Sequence, residues 1–110
     1  MIEDAVDFVV AEVRKAGLRA TSDPRDLHLP GVLVGFAGLT RQLDGSADVR
    51  VRLLAVAPDR GDPLPDLDRL LVGLDSMGLG DVEAVSVTLG NHAPNPLPAL
   101  ETFTTVRSEP

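Results

Sequence analysis

The sequence contains no cysteine, tryptophan or tyrosine and only three phenylalanines among 110 residues. Without cysteine, disulfides, thiolate metal sites and cysteine nucleophiles are excluded. With so few aromatic side chains, stacking platforms for nucleobases or sugars are disfavoured. No apolar run approaches the ~18 residues that a membrane span requires. We therefore expect no disulfide framework, no aromatic binding platform and no membrane-embedded segment.

Basic residues are also scarce, with 10 Lys and Arg against 17 Asp and Glu, and the formal net charge is −7. Such a balance argues against binding to a phosphate backbone and favours a solvated surface. The first residues, Met-Ile-Glu-Asp-Ala-Val-Asp, carry acids where a signal peptide needs bases. We expect a soluble protein made in the cytoplasm. The length and an apolar share of 44% predict a single domain over residues 1–110.

The most informative stretch, residues 48–57, predicts a long strand. One face is apolar throughout, whereas the other face changes from Arg50 and Arg52 to Leu54 and Val56. The strand is therefore expected to leave solvent, or a partner, and to run into a covered core.

A polar break at residues 58–63 follows and predicts a turn into a second helix. Asp62, with Pro63 at the first helical position, or Asp66 one turn later, suits the N-cap. Apolar residues then recur at helical spacing and predict the face that packs on the strand: Leu67, Leu70, Leu71, Leu74 and Met77.

An opening helix is predicted from apolar residues at three- and four-residue steps, and Gly17 ends it. Its stripe consists of Ile2, Val6, Val9, Val10 and Val13. Residues 18–30 are polar and interrupted by proline, and they predict a loop.

A hairpin is predicted over residues 38–53. Residues 32–36 form a short strand before it, and Gly35 and Gly38 predict a bend or bulge. The sequence Asp44-Gly45-Ser46 is a strong turn signal between the two arms.

Two closing strands are predicted at residues 82–89 and 99–107, on either side of a proline-rich loop. Hairpin connections and two separate helices predict an α+β domain. We expect an antiparallel sheet of about four to five strands with an extended hairpin, and two helices packed on one face.

Candidate chemical groups are few. His28 and His92 lie in loops and are better interpreted as solvated or locally hydrogen-bonded than as ligands. Asp59, Asp62, Asp66 and Asp68 lack the alternate spacing and closing Glu of a calcium loop, so they are interpreted as helix caps and solubilising charge. No nucleophile elbow or Ser-His-acid trio stands out. We predict no catalytic residue, metal site or cofactor.

The hairpin carries the candidate interface residues: Leu39, Arg41, Leu43, Arg50 and Arg52. Two interpretations stay open. One is an exposed sheet face with scattered charge. The other is contact with an acidic neighbour, such as another copy of the same acidic chain.

This arrangement resembles the tail terminator proteins of long-tailed bacteriophages, which are also called minor tail or tail-completion proteins. The resemblance covers residues 5–106. It lies in the first helix, in Ser-Asp-Pro-Arg-Asp-Leu-His-Leu-Pro-Gly-Val-Leu-Val at residues 22–34, and in the hairpin. It continues in Val-Arg-Leu-Leu-Ala-Val-Ala-Pro-Asp at residues 51–59, the Leu-rich helix and the closing strands. Gly31 departs from the family, which often has a second proline there.

The resemblance implies a structural virion protein without catalytic residues. Subunits of that family form a hexameric ring on the head-proximal end of the tail tube, stop tube polymerisation and offer a surface to the head connector. The implied partners are further copies of the chain, a tail tube protein and a head-tail connector protein, with no membrane. DNA would pass through the lumen without specific binding, which suits an acidic subunit.

Two alternatives stay open beside the terminator. A head-completion or connector protein also forms small α+β rings, and a small non-viral protein-binding module belongs to a different class. An enzyme comes last. Neighbouring genes would discriminate among them, because a tail tube gene immediately downstream supports the terminator and a host operon excludes it.

Overall fold

The computed structural model describes residues 1–58, 61–89 and 95–109. In chain order the elements are α1 (Ile2–Lys15), β1 (Ala20–Thr21), a 3-10 helix (Pro24–Asp26), β2 (Gly31–Arg41), β3 (Ala47–Val56), α2 (Leu64–Asp75), β4 (Glu83–Val87) and β5 (Leu97–Ser108). The strands form one five-stranded sheet in the order β1-β2-β3-β5-β4. The predicted α+β class is confirmed.

The sheet is antiparallel except at β1, which runs parallel to β2 through the pairs Ala20↔Val32 and Thr21↔Leu33. The prediction that residues 18–30 are only a loop is therefore wrong at β1 and at the 3-10 helix. Ala20 is buried, and the Asp23 carboxylate accepts a hydrogen bond from the Arg25 amide at 2.9 Å, which caps the 3-10 helix. A two-residue strand is too short to show apolar alternation.

The central strand β3 has the polarity gradient that its sequence predicts. Val49, Val51 and Leu53 are fully buried on one face, while Arg50 and Arg52 are exposed on the other. Further along that second face, Leu54 and Val56 are buried in their turn. Because β3 pairs with β2 on one side and β5 on the other, it organises the sheet.

Both helices pack on the same face of the sheet, as predicted. The core cluster contains Ala5, Val6, Val9, Val10 and Val13 from α1, Leu70 and Leu74 from α2, and the inward valines and leucine of β3. Gly17, with φ at +87°, follows the end of α1 in the left-handed conformation that glycine tolerates best.

The buried face of α2 is narrower than predicted. Leu74 is fully buried, whereas Leu71 is only partly buried and lies outside the core cluster. Gly73 is buried instead, where a Cβ atom would come within 2.6 Å of the Leu18 side chain. The helix begins at Leu64, and its amide donates to the Asp62 carboxylate at 3.0 Å. Pro63, rather than Asp62 or Asp66, occupies the N-cap position, so the predicted helix start is wrong by one residue, although the Asp62 carboxylate still accepts the first amide of the helix.

A second, smaller core lies on the opposite face at one end of the sheet. It consists of Leu27, Leu54, Val56, Leu97 and Ala99. The segment around Leu27 and Leu29 covers it, so the other end of this face, with Arg50 and Arg52, stays exposed. The predicted proline-rich loop falls partly on residues 90–94, outside the described residues, and β5 already begins at Leu97. No helix in the described ranges is both long and apolar enough to cross a membrane.

Candidate functional site

The turn that joins β2 to β3 is built from its own side chains, as Asp44-Gly45-Ser46 predicts. The Gln42 amide donates to the Ser46 carbonyl at 2.9 Å. The Asp44 carboxylate accepts from the Ser46 amide at 2.9 Å and from its hydroxyl at 2.6 Å, and these bonds lower the pKa of Asp44 below its ordinary value. Gly45 takes a φ of +88°. The turn therefore has a defined conformation.

Leu43 lies at the tip of this turn and has a relative exposure of 110%. Its side chain contributes nothing to the core of the chain. Burying a leucine side chain stabilises a protein or a complex by about 1.5–3 kcal/mol. Leu43 therefore does not add that free energy to the stability of the fold.

Leu39 and Arg41 lie on the helix-bearing side of the hairpin, opposite Val49 and Ala47 in the ladder. Leu39 is exposed. Arg41 is exposed too, and among the described residues it forms neither an ion pair nor a side-chain hydrogen bond.

Arg50 and Arg52 lie on the other side of the sheet, where both contact side chains of the same chain. The Arg50 guanidinium carbon is 4.0 Å from the centroid of the Phe103 ring, a cation–π contact. The Arg52 Nε donates to the Glu101 carboxylate at 2.6 Å. The structure therefore does not bring the candidate interface residues together, because they divide between the tip and two opposite faces.

The outer edge of β2 is open along most of its length. β1 pairs only with Val32 and Leu33, so from residue 34 onward this edge has no strand partner within the described residues. Phe36 stands here with about half of its surface exposed. A register shift between Phe36 and Gly38, the predicted bulge, places both Phe36 and Leu39 on the helix-bearing side. Phe36 was not among the candidate interface residues predicted from the sequence. The one signal for it was its position as an aromatic residue between Gly35 and Gly38, which predict the bulge.

The outer edge of β5 is open at the same level of the sheet. β4 pairs with β5 only from Leu97 to Glu101, so residues 103–108 have no strand partner on that side among the described residues. In the ladder, Phe36 of β2 lies level with Thr104 of β5, and Leu39 lies level with Val106. This part of the sheet is thus a ribbon of β2, β3 and β5 with both edges free.

A groove of about 730 Å³ runs beside the open part of β5, between α1 and the residues that follow α2. Phe8, Met77, Leu79 and Val106 supply apolar side chains to it, and Asp4 and Glu12 of α1 supply acids. Phe8 is 56% exposed. Sequence reasoning missed this groove, although Phe8 gave a signal by lying off the apolar stripe of α1.

The titratable residues singled out in the sequence do not gather into a site. His28 is exposed, as expected, and lines a smaller cavity of about 290 Å³ together with Arg14 and Arg19. The Asp62 carboxylate accepts a hydrogen bond from the Leu64 amide, and the Asp66 carboxylate lies 3.9 Å from the Arg69 guanidinium. Asp59 and His92 lie outside the described residues. In the described ranges no three His, Cys, Asp or Glu side chains are placed to hold a metal ion.

Comparisons with known proteins do not identify a family for this chain. No protein-family model matches the chain, and no curated protein matches it significantly.

Proposed function

We propose that this protein is a structural subunit that assembles with copies of itself through the β2–β3 hairpin, in a ring like those of bacteriophage tail terminators. The observation that carries the proposal is the set of apolar side chains exposed on one hairpin: Phe36, Leu39 and Leu43. The hairpin is paired and its turn is fixed by hydrogen bonds. Apolar side chains that are exposed together on one such element are typical of an interaction site.

The dimensions of the subunit agree with this role. Its principal extents are 51 × 28 × 21 Å, so it is markedly elongated. The apolar clusters lie under the helices and at the end of the sheet near Leu27, while the hairpin extends away from that end. Among the described residues, only its β2 arm and the turn have an open edge, because β5 pairs with β3 as far as the buried Ala47. An elongated subunit with an exposed strand edge can contact a neighbour without rearranging its core.

In the proposed role the ring caps the head-proximal end of the tail tube, stops its polymerisation and forms the joint to the head connector. Its partners are further copies of the chain, six in a ring as the family resemblance implies, the tail tube protein and the head-tail connector protein. DNA passes through the lumen without specific binding, which the net charge of −7 favours. The role needs no catalytic residue and no cofactor.

Sedimentation velocity tests self-assembly through the hairpin. We expect the double variant Leu39→Asp with Leu43→Asp to lose the assembled species that the wild-type protein forms. In the proposed interface the variant would bury two carboxylates in place of two leucine side chains, which is unfavourable. Circular dichroism should be unchanged, since both side chains are exposed.

The matched control is Leu64→Asp with Val72→Asp, which adds the same charge at two exposed apolar positions of α2. This control should assemble as the wild-type protein does. Assembly by the hairpin variant, or a wild-type protein that stays monomeric at every concentration, would overturn the proposal.

A further inference from the structure

The outer edges of β2 and β5, which are unpaired over part of their length among the described residues, occupy positions that allow two copies of the chain to pair. They lie on opposite sides of the same three-stranded ribbon and at the same level, since Leu39 and Val106 share one row of the ladder. Open edges present unpaired amide and carbonyl groups, and proteins normally cover, interrupt or pair them. A second copy placed beside the first, without any shift along the strands, brings β2 of one against β5 of the other.

The side chains beside these edges are complementary as well. Phe36 and Leu39 are exposed on the helix-bearing side of β2. The groove with Phe8, Met77 and Val106 lies beside β5 on the side that α1 covers. Edge-to-edge contact would therefore carry the apolar side chains of one copy into the apolar groove of the next.

The charges agree with the same arrangement. Arg41 follows Leu39 on the same side of β2 and has no ion pair among the described residues. The groove is lined by Asp4 and Glu12 and also by Arg107, whose guanidinium is already in ion pairs within the chain. The Asp4 side chain is 93% exposed, and its carboxylate lies 3.8 Å from the amino-terminal nitrogen. The Glu12 carboxylate forms an ion pair with Lys15 at the surface. A guanidinium entering the groove beside these acids meets charge of the opposite sign.

We propose that the outer edge of β2 in one copy docks along the outer edge of β5 in a second copy, with Phe36 and Leu39 in the groove and Arg41 beside its acids. The contact joins two different patches, so each subunit both donates and accepts. Repeated around an axis it closes into a ring whose strands have no free edge at this level. This inference rests on the proposed function and names the surface that receives the hairpin.

Because the sequence contains no cysteine, disulfide cross-linking between introduced cysteines tests the contact without competing thiols. Leu39→Cys marks the donating edge, and Phe8→Cys or Met77→Cys marks the groove. Under mild oxidation we expect a mixture of Leu39→Cys with a groove variant to form covalent dimers at least severalfold faster than either protein alone. Mass spectrometry of the joined peptides identifies the pair.

The control mixture contains Leu39→Cys and Val72→Cys, whose side chain is 70% exposed on α2 and outside the groove. It should form dimers no faster than Leu39→Cys alone. Rapid dimerisation of Leu39→Cys by itself would indicate that two β2 edges meet, and would overturn the inference. The absence of dimers with both groove variants would overturn it too.

A charge exchange provides a second measurement on the same two proteins. Arg41→Glu in the donating copy should lower the cross-linking rate severalfold. Asp4→Lys with Glu12→Lys in the accepting copy should restore it, which a purely structural effect of Arg41→Glu would not produce.

The failures of the two proposals are distinguishable. If the hairpin variant of the sedimentation test blocks assembly while the mixtures give no cross-link, self-assembly stands and the groove is the wrong receiver. If the cross-link forms but no ring assembles, the edge contact stands and the ring function fails.

Discussion

Leu74 and Leu71 lie within one turn of the same helix, yet their surroundings differ. Leu74 is fully buried between α2 and the sheet, whereas Leu71 is partly buried outside the core cluster. The spacing of leucines predicts an apolar stripe but not its width, because the width depends on how closely Gly73 lets the helix approach Leu18.

The burial difference predicts a stability difference. Leu74→Ala should lower the free energy of unfolding by about 2–5 kcal/mol, since it removes buried methyl groups and leaves a cavity. Leu71→Ala should cost clearly less. Val72→Ala, at a position that is 70% exposed, should change it by no more than about 0.5 kcal/mol. Denaturant unfolding measures all three, and equal losses at Leu74 and Val72 would mean that α2 is rotated.

Asp44 links the hairpin turn to pH. Hydrogen bonds from Ser46 lower the pKa of Asp44 in the folded protein, and the ion pair with Arg107 at 3.7 Å acts in the same direction. A lowered pKa means that ionised Asp44 favours the folded state at pH values above the unfolded value of about 3.9. This contribution is lost as the pH falls through the folded-state pKa.

The corresponding variant is Asp44→Asn, which cannot ionise. Wild-type protein should be the more stable of the two at neutral pH, and the difference should shrink below about pH 4. Thermal unfolding at several pH values measures it. A difference that stays constant down to the acid limit would show that ionisation of Asp44 does not stabilise the turn.

The start of β2 depends on a close backbone approach. A Cβ atom at Gly31 would collide with the carbonyl oxygen of His28 and lie 3.2 Å from Leu27 Cδ1. The segment that includes Leu27 covers the second core, so a larger residue at position 31 must displace that cover.

Gly31→Ala should therefore destabilise the protein by about 1–3 kcal/mol, as other overpacked substitutions do. Gly35→Ala, in the same strand, is the matched control, because its Cβ would meet no atom within 4 Å. Denaturant unfolding should separate the two variants. If Gly31→Ala is as stable as Gly35→Ala, the cover over the second core is looser than the structure indicates.

The strands and helices with clear periodicity were predictable from the sequence. The alternation in β3, the Asp-Gly turn and most of the two helix stripes follow from local spacing, whereas Ile2 of α1 is exposed and Leu71 of α2 is only partly buried. β1 was not predictable, because a two-residue parallel strand is defined by its neighbour Val32 rather than by its own residues. Its pairing makes the sheet mixed.

The candidate interface could be predicted only in part. The sequence placed Leu43 at a turn and Arg41 on an arm, but it could not assign Leu39 and Arg50 to opposite faces, since the bulge near Gly38 changes the register by one residue. The groove could not be predicted from the sequence, because Phe8, Leu79 and Val106 come from distant segments that meet only in the folded chain.

The net charge of the chain leads to a prediction about nucleic acid. With a net charge of −7, the protein should show no measurable affinity for duplex DNA at physiological salt. Fluorescence anisotropy with a labelled duplex measures this. Saturable binding in the micromolar range would contradict a lumen through which DNA passes freely.

The central claim is that a ring of these subunits caps a tail tube through contacts that include the hairpin. Electron microscopy of tubes polymerised from the cognate tail tube protein tests it most directly. Wild-type protein should produce tubes with a ring at one end and arrest their growth. Leu39→Asp with Leu43→Asp should leave the tubes uncapped, whereas Leu64→Asp with Val72→Asp should cap them normally. Tubes that grow without a terminal ring in the presence of folded wild-type protein would contradict the account.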